Sequence, residues 1–302
     1  MVRHAQKVND RVADRDFKYY IFDWDDNILH MPTRIHLERK GPDGIWKPHA
    51  VSTAVFAVVR NDRAHYRPPH GIWEEAFVEF RDFADTPESQ FLIDTRTALQ
   101  KLLSGETPPG PSFEKLRETL REGRLFAIVT ARGHEPSALR EAVRLFAEMV
   151  LTPEDREEMM ANLRGYRRCF DKVKTFGSDE EEFDYYLSLN RYHAVTNPQF
   201  QKWMAREGNA AQAENAKQFA IRDFVEHVIR ILSQTGADSL KRPISVGFSD
   251  DDLGNVQAVE TYIQEVLAER FPGIKFCIYD TSDPTVADGR KVIVSGQMDF
   301  GF

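Results

Sequence analysis

Cysteine is nearly absent from this chain of 302 residues: Cys169 and Cys277 are the only two, far apart in sequence. They cannot build a disulfide framework or a cysteine metal site, which suits a reducing compartment. Long apolar runs are missing too, and nothing approaches the ~20 residues of a membrane-spanning helix. The opening Met1-Val2-Arg3-His4-Ala5-Gln6-Lys7 has no apolar signal core. The expectation is a soluble, cytoplasmic protein with no membrane partner. Positive charge is in deficit, 40 Lys and Arg against 48 Asp and Glu for a net −8. That argues against a general nucleic-acid coat, although local basic patches stand at residues 60–67 and 164–168. No Gly-x-x-x-x-Gly-Lys loop occurs, and the histidines include no His-Glu-x-x-His pair. Kinases of the P-loop type and zinc-protease helices are thereby excluded. Asp23-x-Asp25-x-Asn27 mimics the opening of a calcium EF-hand loop, but Ile28 stands where glycine is required and Arg34 where the closing glutamate belongs. No internal repeat or low-complexity segment is evident.

What is present is ordinary globular material, 41% hydrophobic and 29% charged, long enough for one large domain or a core with an insertion. Its most informative stretch is Tyr19-Tyr20-Ile21-Phe22-Asp23-Trp24-Asp25-Asp26-Asn27-Ile28-Leu29. A short apolar run rich in β-formers ends in three acids, the pattern of a buried strand. Isolated carboxylates cost too much away from water, so they belong at the strand's carboxyl end, where open α/β sheets bind ligands. Asp23 and Asp25 can serve one site as nucleophile and proton donor, with a hard cation between them. Pro243-Ile244-Ser245-Val246-Gly247-Phe248 also closes on acids, Asp250, Asp251 and Asp252. Between the two lies Leu125-Phe126-Ala127-Ile128-Val129-Thr130-Ala131-Arg132-Gly133, a third buried-type strand. Three such strands, each followed by a helix-like segment, predict a Rossmann-like parallel sheet flanked by helices, with its site at the carboxyl edge.

These residues resemble the haloacid dehalogenase-like (HAD) superfamily of aspartyl-phosphate hydrolases. Asp23-Trp24-Asp25-Asp26-Asn27 is similar to its first motif, Thr130 to its second, and Asp250-Asp251 to its fourth; Lys217 fits the third best. The resemblance covers roughly residues 17–30 and 96–285, and Asn27 stands where threonine is usual. It implies an α/β core, residues 15–30 and 96–302, behind a flexible lead-in of residues 1–14. Residues 31–95 would form a β-containing cap or flap, since insertions directly after the first motif gate substrate entry in this superfamily. Within it, Thr33, Ile35 and Leu37 alternate with Arg34, His36 and Glu38 as in a half-buried strand. Gly41-Pro42-Asp43-Gly44 is a turn signal, residues 45–59 contain another β-rich run, and Trp73, Phe77, Phe80 and Phe83 are expected to pack. Residues 18–22, 192–196 and 275–279 are further strand candidates, and 211–232 and 256–267 are helical. The charged stretch 152–190, with Asp179-Glu180-Glu181-Glu182, is expected to be a solvated face or loop.

The resemblance implies a phosphatase acting on a phosphomonoester. Asp23 is the nucleophile that forms an acyl phosphate. Asp25 protonates the leaving oxygen and later activates water, and its carbonyl faces the metal. Thr130 donates to a phosphate oxygen, helped by backbone N–H groups at the start of the following helix, and Ala131 and Arg132 join it as substrate-binding residues. Lys217 neutralises phosphoryl charge. Mg²⁺ is the expected cofactor, held by Asp23, Asp25, Asp250 and Asp251. A phosphorylated small molecule is the expected substrate. A nucleic-acid end phosphatase, a phosphotransferase and a non-catalytic metal-binding protein of the same fold are the alternatives.

Overall fold

The computed structural model describes residues 7–82, 88–170, 175–207, 213–235, 242–283, 286 and 289–295. In chain order the elements are β1 (Phe17–Phe22), β2 (Ile35–Lys40), β3 (Trp46–Val51), α1 (Thr53–Val59), β4 (Tyr66–Arg67) and the one-turn α2 (Trp73–Ala76). There follow α3 (Gln90–Leu103), α4 (Phe113–Arg121), β5 (Phe126–Thr130), α5 (Pro136–Val150), α6 (Pro153–Phe170), α7 (Asp179–Leu189) and β6 (Arg191–Ala194). The chain continues through α8 (Pro198–Arg206), α9 (Ala213–Gln234), β7 (Ile244–Asp250), α10 (Leu253–Tyr262), α11 (Ala268–Arg270), β8 (Ile274–Asp280) and β9 (Arg290–Ser295).

Six strands form one sheet in the order β6-β5-β1-β7-β8-β9, all parallel except β9. Alternation along the strands divides the core. Phe17, Tyr19, Ile21, Ala127 and Val129 meet α8, α9 and α10 on one face. Phe22, Phe126 and Ile128 meet residues of α3 to α7 on the other. This α/β architecture, a mostly parallel sheet flanked by helices, is compatible with a Rossmann-like fold. The chain leaves β1 toward β5 and β6, then returns to β7 on β1's other side. That reversal makes a topological switch point at the carboxyl ends of β1, β5 and β7, the place where open α/β sheets form the crevice that binds ligands.

The helix stops follow from local chemistry. Phe113, Leu116 and Leu120 are all buried on one side of α4, and Gly123 takes φ +66° just past its end, a left-handed position that costs glycine little. Val256, Val259, Ile263 and Leu267 are buried together, through a short π turn at Ile263–Leu267.

Between β1 and α3 a separate antiparallel sheet stands in the order β3-β2-β4. Ile35, Leu37 and Val51 are buried with Ala76 and Phe80, and Phe56 and Phe77 pack against them. Trp73 and Phe77 stack on this cluster, whereas Phe83 lies outside the described residues. The β-rich reading of residues 45–59 holds only as far as Val51. From Thr53 the chain is helical: Ser52 caps the first turn by accepting from the Val55 N–H, and Phe56 and Val59 turn one side of the helix to the insertion's apolar cluster while Val55 and Val58 stay exposed. The core resumes before residue 96: α3 starts at Gln90 and its Phe91 is buried against Trp24.

Two expectations need correction. The charged stretch 152–190 is helical where it is described, forming α6 and α7; Asp179, Glu180 and Glu181 are exposed there as a solvated face, and only Glu182 departs from that expectation. Asp179, Glu180, Glu181 and Glu182 form the first turn of α7 behind a Ser178 cap, where acids oppose the helix dipole favourably. Glu182 is buried because Arg164 and Arg167 pair with it. The lead-in is not loose where it is described. Asp10–Asp14 form a 3₁₀ turn with Val12 fully buried, and the Asn9 N–H donates to the Ala161 carbonyl. Among the described residues, no helix is long and apolar enough to cross a membrane.

Candidate functional site

β1 and β7 lie side by side in parallel register, Phe22 opposite Ser249, and the Asp23 N–H donates to the Ser249 carbonyl at 3.0 Å. One residue beyond this bond, the two acidic strand ends must meet. Lys217, from the first half of α9, comes in between them. Its Nζ donates to Asp23 Oδ1 at 2.9 Å and to Asp250 Oδ2 at 2.6 Å, and all three side chains are buried. Asp250 also accepts from the Asp252 N–H at 2.9 Å and from Asn255 Nδ2 at 3.2 Å.

The electrostatics are crowded. Burial pushes the Asp23 carboxyl up to about 8; Lys217 opposes this, while Asp250 and Asp25 add to it. Asp251, half-buried, is pushed up to about 9 by burial and then by Asp23, Asp250 and Asp26. Burial works against the charge of Lys217, but Asp23 and Asp250 outweigh it and hold the ammonium above its ordinary range.

Asp25 points elsewhere in the cluster. Arg132 Nε donates to its Oδ2 at 2.8 Å and Nη2 to its Oδ1 at 2.5 Å, while the Thr130 hydroxyl donates to Oδ2 at 3.3 Å. The Asp25 carbonyl accepts the Asn27 N–H at 2.6 Å. Asp26 adopts φ +54°, tolerable for aspartate, and its carboxylate bonds His30 and the Thr53 hydroxyl.

The structure thus brings Asp23, Lys217 and Asp250 into direct contact, with Asp251 close enough to feel their charge, and joins Thr130 to Asp25. Arg132 is turned inward, with its guanidinium wholly buried, whereas Ala131 is exposed. Sequence reasoning missed the supports. Asn27 Nδ2 donates to the Asp23 carbonyl at 3.0 Å and to Ser249 Oγ at 3.0 Å, and its Oδ1 accepts from Thr281 at 2.9 Å. Asn27 therefore ties the β1 loop to β7 and to the end of β8, a bridge that an acceptor-only or hydroxyl side chain could not make with all these partners. The only signal in the sequence was an amide where a hydroxyl was expected.

Gly110 closes the loop from outside. Its N–H donates to the Ile28 carbonyl at 3.1 Å, and a Cβ there would fall 2.6 Å from the Asn27 carbonyl oxygen. Gly110→Ala is expected to push the acidic loop off β7, lowering any activity at this site at least ~10-fold and stability by about 1–3 kcal/mol. Side-by-side melting curves and rates check it; an unaltered rate would show that the loop position is unimportant.

Among the described residues, no group of three or more His, Cys, Asp or Glu side chains is arranged to hold a metal ion; Lys217 bridges the space between Asp23 and Asp250. A cavity of about 410 Å³ lies at the other end of β1 and is lined mainly by apolar and tyrosine side chains, including Phe17, Tyr19, Tyr166 and Tyr186. The acidic crevice brings together carboxylates pushed up by burial, a buried cation and, through Asp25, the Thr130 hydroxyl, a combination that marks a candidate functional site. Comparison with family models, curated proteins and solved structures found no match.

Proposed function

We propose that this protein is a HAD-like, Mg²⁺-dependent phosphatase that hydrolyses a phosphomonoester through an aspartyl phosphate on Asp23. The observation that carries this reading is the Asp23–Lys217–Asp250 cluster: three residues from distant parts of the chain, buried in contact at the carboxyl edge of the sheet. Lys217 favours the ionised form of Asp23 against the burial that disfavours it, and neutralises charge on the arriving phosphoryl group. Asp25, two residues on, supplies the proton to the leaving oxygen and then takes one from water. Thr130 stands beside Asp25 and gives the phosphate a hydroxyl donor, joined by the exposed backbone turn at Ala131.

The donor set fits a hard cation in kind, being all oxygen. Asp23, Asp250 and Asp251 repel one another with a single lysine to offset them, which gives a divalent ion reason to bind. Asp23, Asp250, Asp251 and the Asp25 carbonyl would hold it. When bound, Mg²⁺ supplies charge stabilisation for the transferring phosphoryl group. The insertion is the cap in this reading: Thr53 at one end of α1 bonds Asp26, and Arg60 just past the other bonds Asp252 at 2.9 Å. One helix of the insertion thereby contacts both acidic loops.

Phosphate release from an aryl phosphate, with and without Mg²⁺, tests the proposal. Mg²⁺-dependent release supports it. Binding of Mg²⁺ with no release would favour the non-catalytic alternative.

A phosphorylated nucleic-acid end is the second reading of the substrate, favoured by the insertion's sheet. Its strands carry Arg39, Lys40, Lys47 and Arg67 against Glu38, with Arg67 4.3 Å over the Trp46 ring and Arg39 5.8 Å over Tyr66. Cations on aromatic rings suit single strands. A 3′- or 5′-phosphorylated oligonucleotide turned over no better than a small ester would dismiss it.

Asp250→Ala is expected to raise the Mg²⁺ concentration for half-maximal activity at least ~10-fold. Mg²⁺ should stabilise the wild type by linkage and the variant much less, read as the shift in melting temperature. Asp252→Ala should leave Mg²⁺ dependence alone and cost about 1 kcal/mol, because Asp252 caps α10 through the Gly254 and Asn255 N–H groups. Equal Mg²⁺ dependence in wild type and Asp250→Ala would separate the two acidic strand ends.

A further inference from the structure

Arg132 is fully buried, and every side of its guanidinium is taken. Asp25 accepts from Nε and Nη2, and Thr33 Oγ1 accepts from Nη2 at 2.7 Å. Phe80 and Phe91 cover the plane at 4.5 and 5.1 Å, and His134 Nε2 lies 3.4 Å from Nη1. An arginine that greets a phosphate needs an open edge of its fork; this one spends its edge on Asp25. Burying such a charge is costly without full pairing, and the return is geometric: a two-point contact fixes the carboxylate's plane as well as its place.

The partners on the far side belong to the insertion's two connections to the core. Thr33 lies on the incoming chain, and its hydroxyl donates to Asp94 of α3. Phe80 and Asp82 lie on the outgoing chain. The Gly133 N–H donates to the Phe80 carbonyl at 2.8 Å, and Asp82 pairs with His134 at 3.0 Å while accepting from the Glu135 N–H at 3.2 Å. Both connections are therefore seated on the loop that carries Arg132.

We propose that Arg132 is a positioning residue for Asp25, and that it makes the orientation of Asp25 depend on how the insertion's connections are seated. The inference rests on the reading of Asp25 as the proton donor to the leaving group. It replaces a phosphate-binding role for the Arg132 side chain, and the two roles predict different kinetics. A proton donor matters little when the leaving group is a stable anion and greatly when it is an alkoxide. A phosphate ligand matters for every ester alike.

The experiment compares p-nitrophenyl phosphate, phenyl phosphate and an alkyl phosphate in wild type, Arg132→Met, Arg132→Lys and Thr33→Val. In Arg132→Met, kcat/KM, which reports phosphoryl transfer to Asp23 before water attacks, is expected to fall at least ~10²-fold on the alkyl ester, within the range of a positioned acid. On p-nitrophenyl phosphate kcat/KM should fall less than ~10-fold, with no rise in KM on either ester; the water-activating role of Asp25 is common to all of them and lowers kcat alone. Arg132→Lys keeps the charge without the fork and should fall between. Thr33→Val, which touches only the clasp, should show a smaller loss with the same graded order. A uniform loss across the series with raised KM would return Arg132 to the phosphate and overturn the proposal, as would no loss at all. Should Arg132→Met fail to fold, Thr33→Val decides: graded loss supports the clasp, and uniform or absent loss refutes it. A wild type that releases phosphate from none of the esters would fail the phosphatase reading first and carry this inference down with it, whereas an active wild type with ungraded variants would fail the inference alone.

Discussion

Asp23→Asn should cut phosphate release at least ~10³-fold while leaving the fold intact. An amide cannot form the acyl phosphate, so no alternative route through this position exists. The fold should survive because asparagine fills the same volume and its oxygen can still accept from Lys217, which keeps its second partner Asp250. Removing one of three crowded carboxylates also relieves repulsion, so the melting temperature without metal should hold or rise. Rates on an aryl phosphate and a thermal melt, run on the same preparation, check both halves. Substantial turnover in protein free of contaminating phosphatase would remove Asp23 from the nucleophile's role; a collapsed melt would mean that its charge is structural.

The second large effect is expected at Lys217. Lys217→Met leaves Asp23 and Asp250 buried without their shared cation. Stripping one partner from a buried ion pair typically costs about 3–5 kcal/mol, and here two acids lose theirs. The cost should depend on pH. A carboxyl whose folded pKa lies above its unfolded value holds its proton longer in the folded state, so stability is kept at low pH and lost as pH rises toward the folded value. Asp23 is already pushed up to about 8 with Lys217 present, and removing the lysine raises it further. Below about pH 8 both folded proteins hold the Asp23 proton, so the gap between them should stay level from pH 5 to pH 7 and widen as pH rises past 8 toward 9, where only the wild type gives that proton up. Melting temperatures of both proteins across that range measure this. A gap that stays constant up to pH 9 would show that Lys217 contributes by packing and not by offsetting the buried acids. Activity should be lost at every pH, since charge on the phosphoryl group would go unanswered.

Much of the core was legible in the sequence. The strands at residues 17–22, 126–130, 244–250 and 274–280 announced themselves as short apolar runs of β-formers closing on acids, hydroxyls or turns. Such runs are readable because a strand buried on both faces needs apolar side chains at successive positions, a demand met locally. The stripes Phe113/Leu116/Leu120 and Val256/Val259/Ile263/Leu267 were readable for the same reason at helical period. Charge misled where it was partnered from afar: the acids of residues 179–182 looked solvated, yet Glu182 is buried because Arg164 and Arg167, one helix earlier, turn toward it. Composition counts charges and cannot show which of them are neutralised by contact.

The sequence by itself determined the class of fold and the edge of the sheet at which the acids lie. Strand ends, burial and the cost of stranded carboxylates are local properties, written into consecutive residues. Only the tertiary structure decided which acids share a cation. It set Lys217 between Asp23 and Asp250, gave Arg132 to Asp25 and not to the crevice, and used Asn27 to fasten three strand ends together. Each of those pairings joins groups far apart in the chain, whose separation in space depends on sheet order and register. Hydrogen bonds and ion pairs act over a few ångströms, so residue type could nominate the partners but only their placement could choose among them.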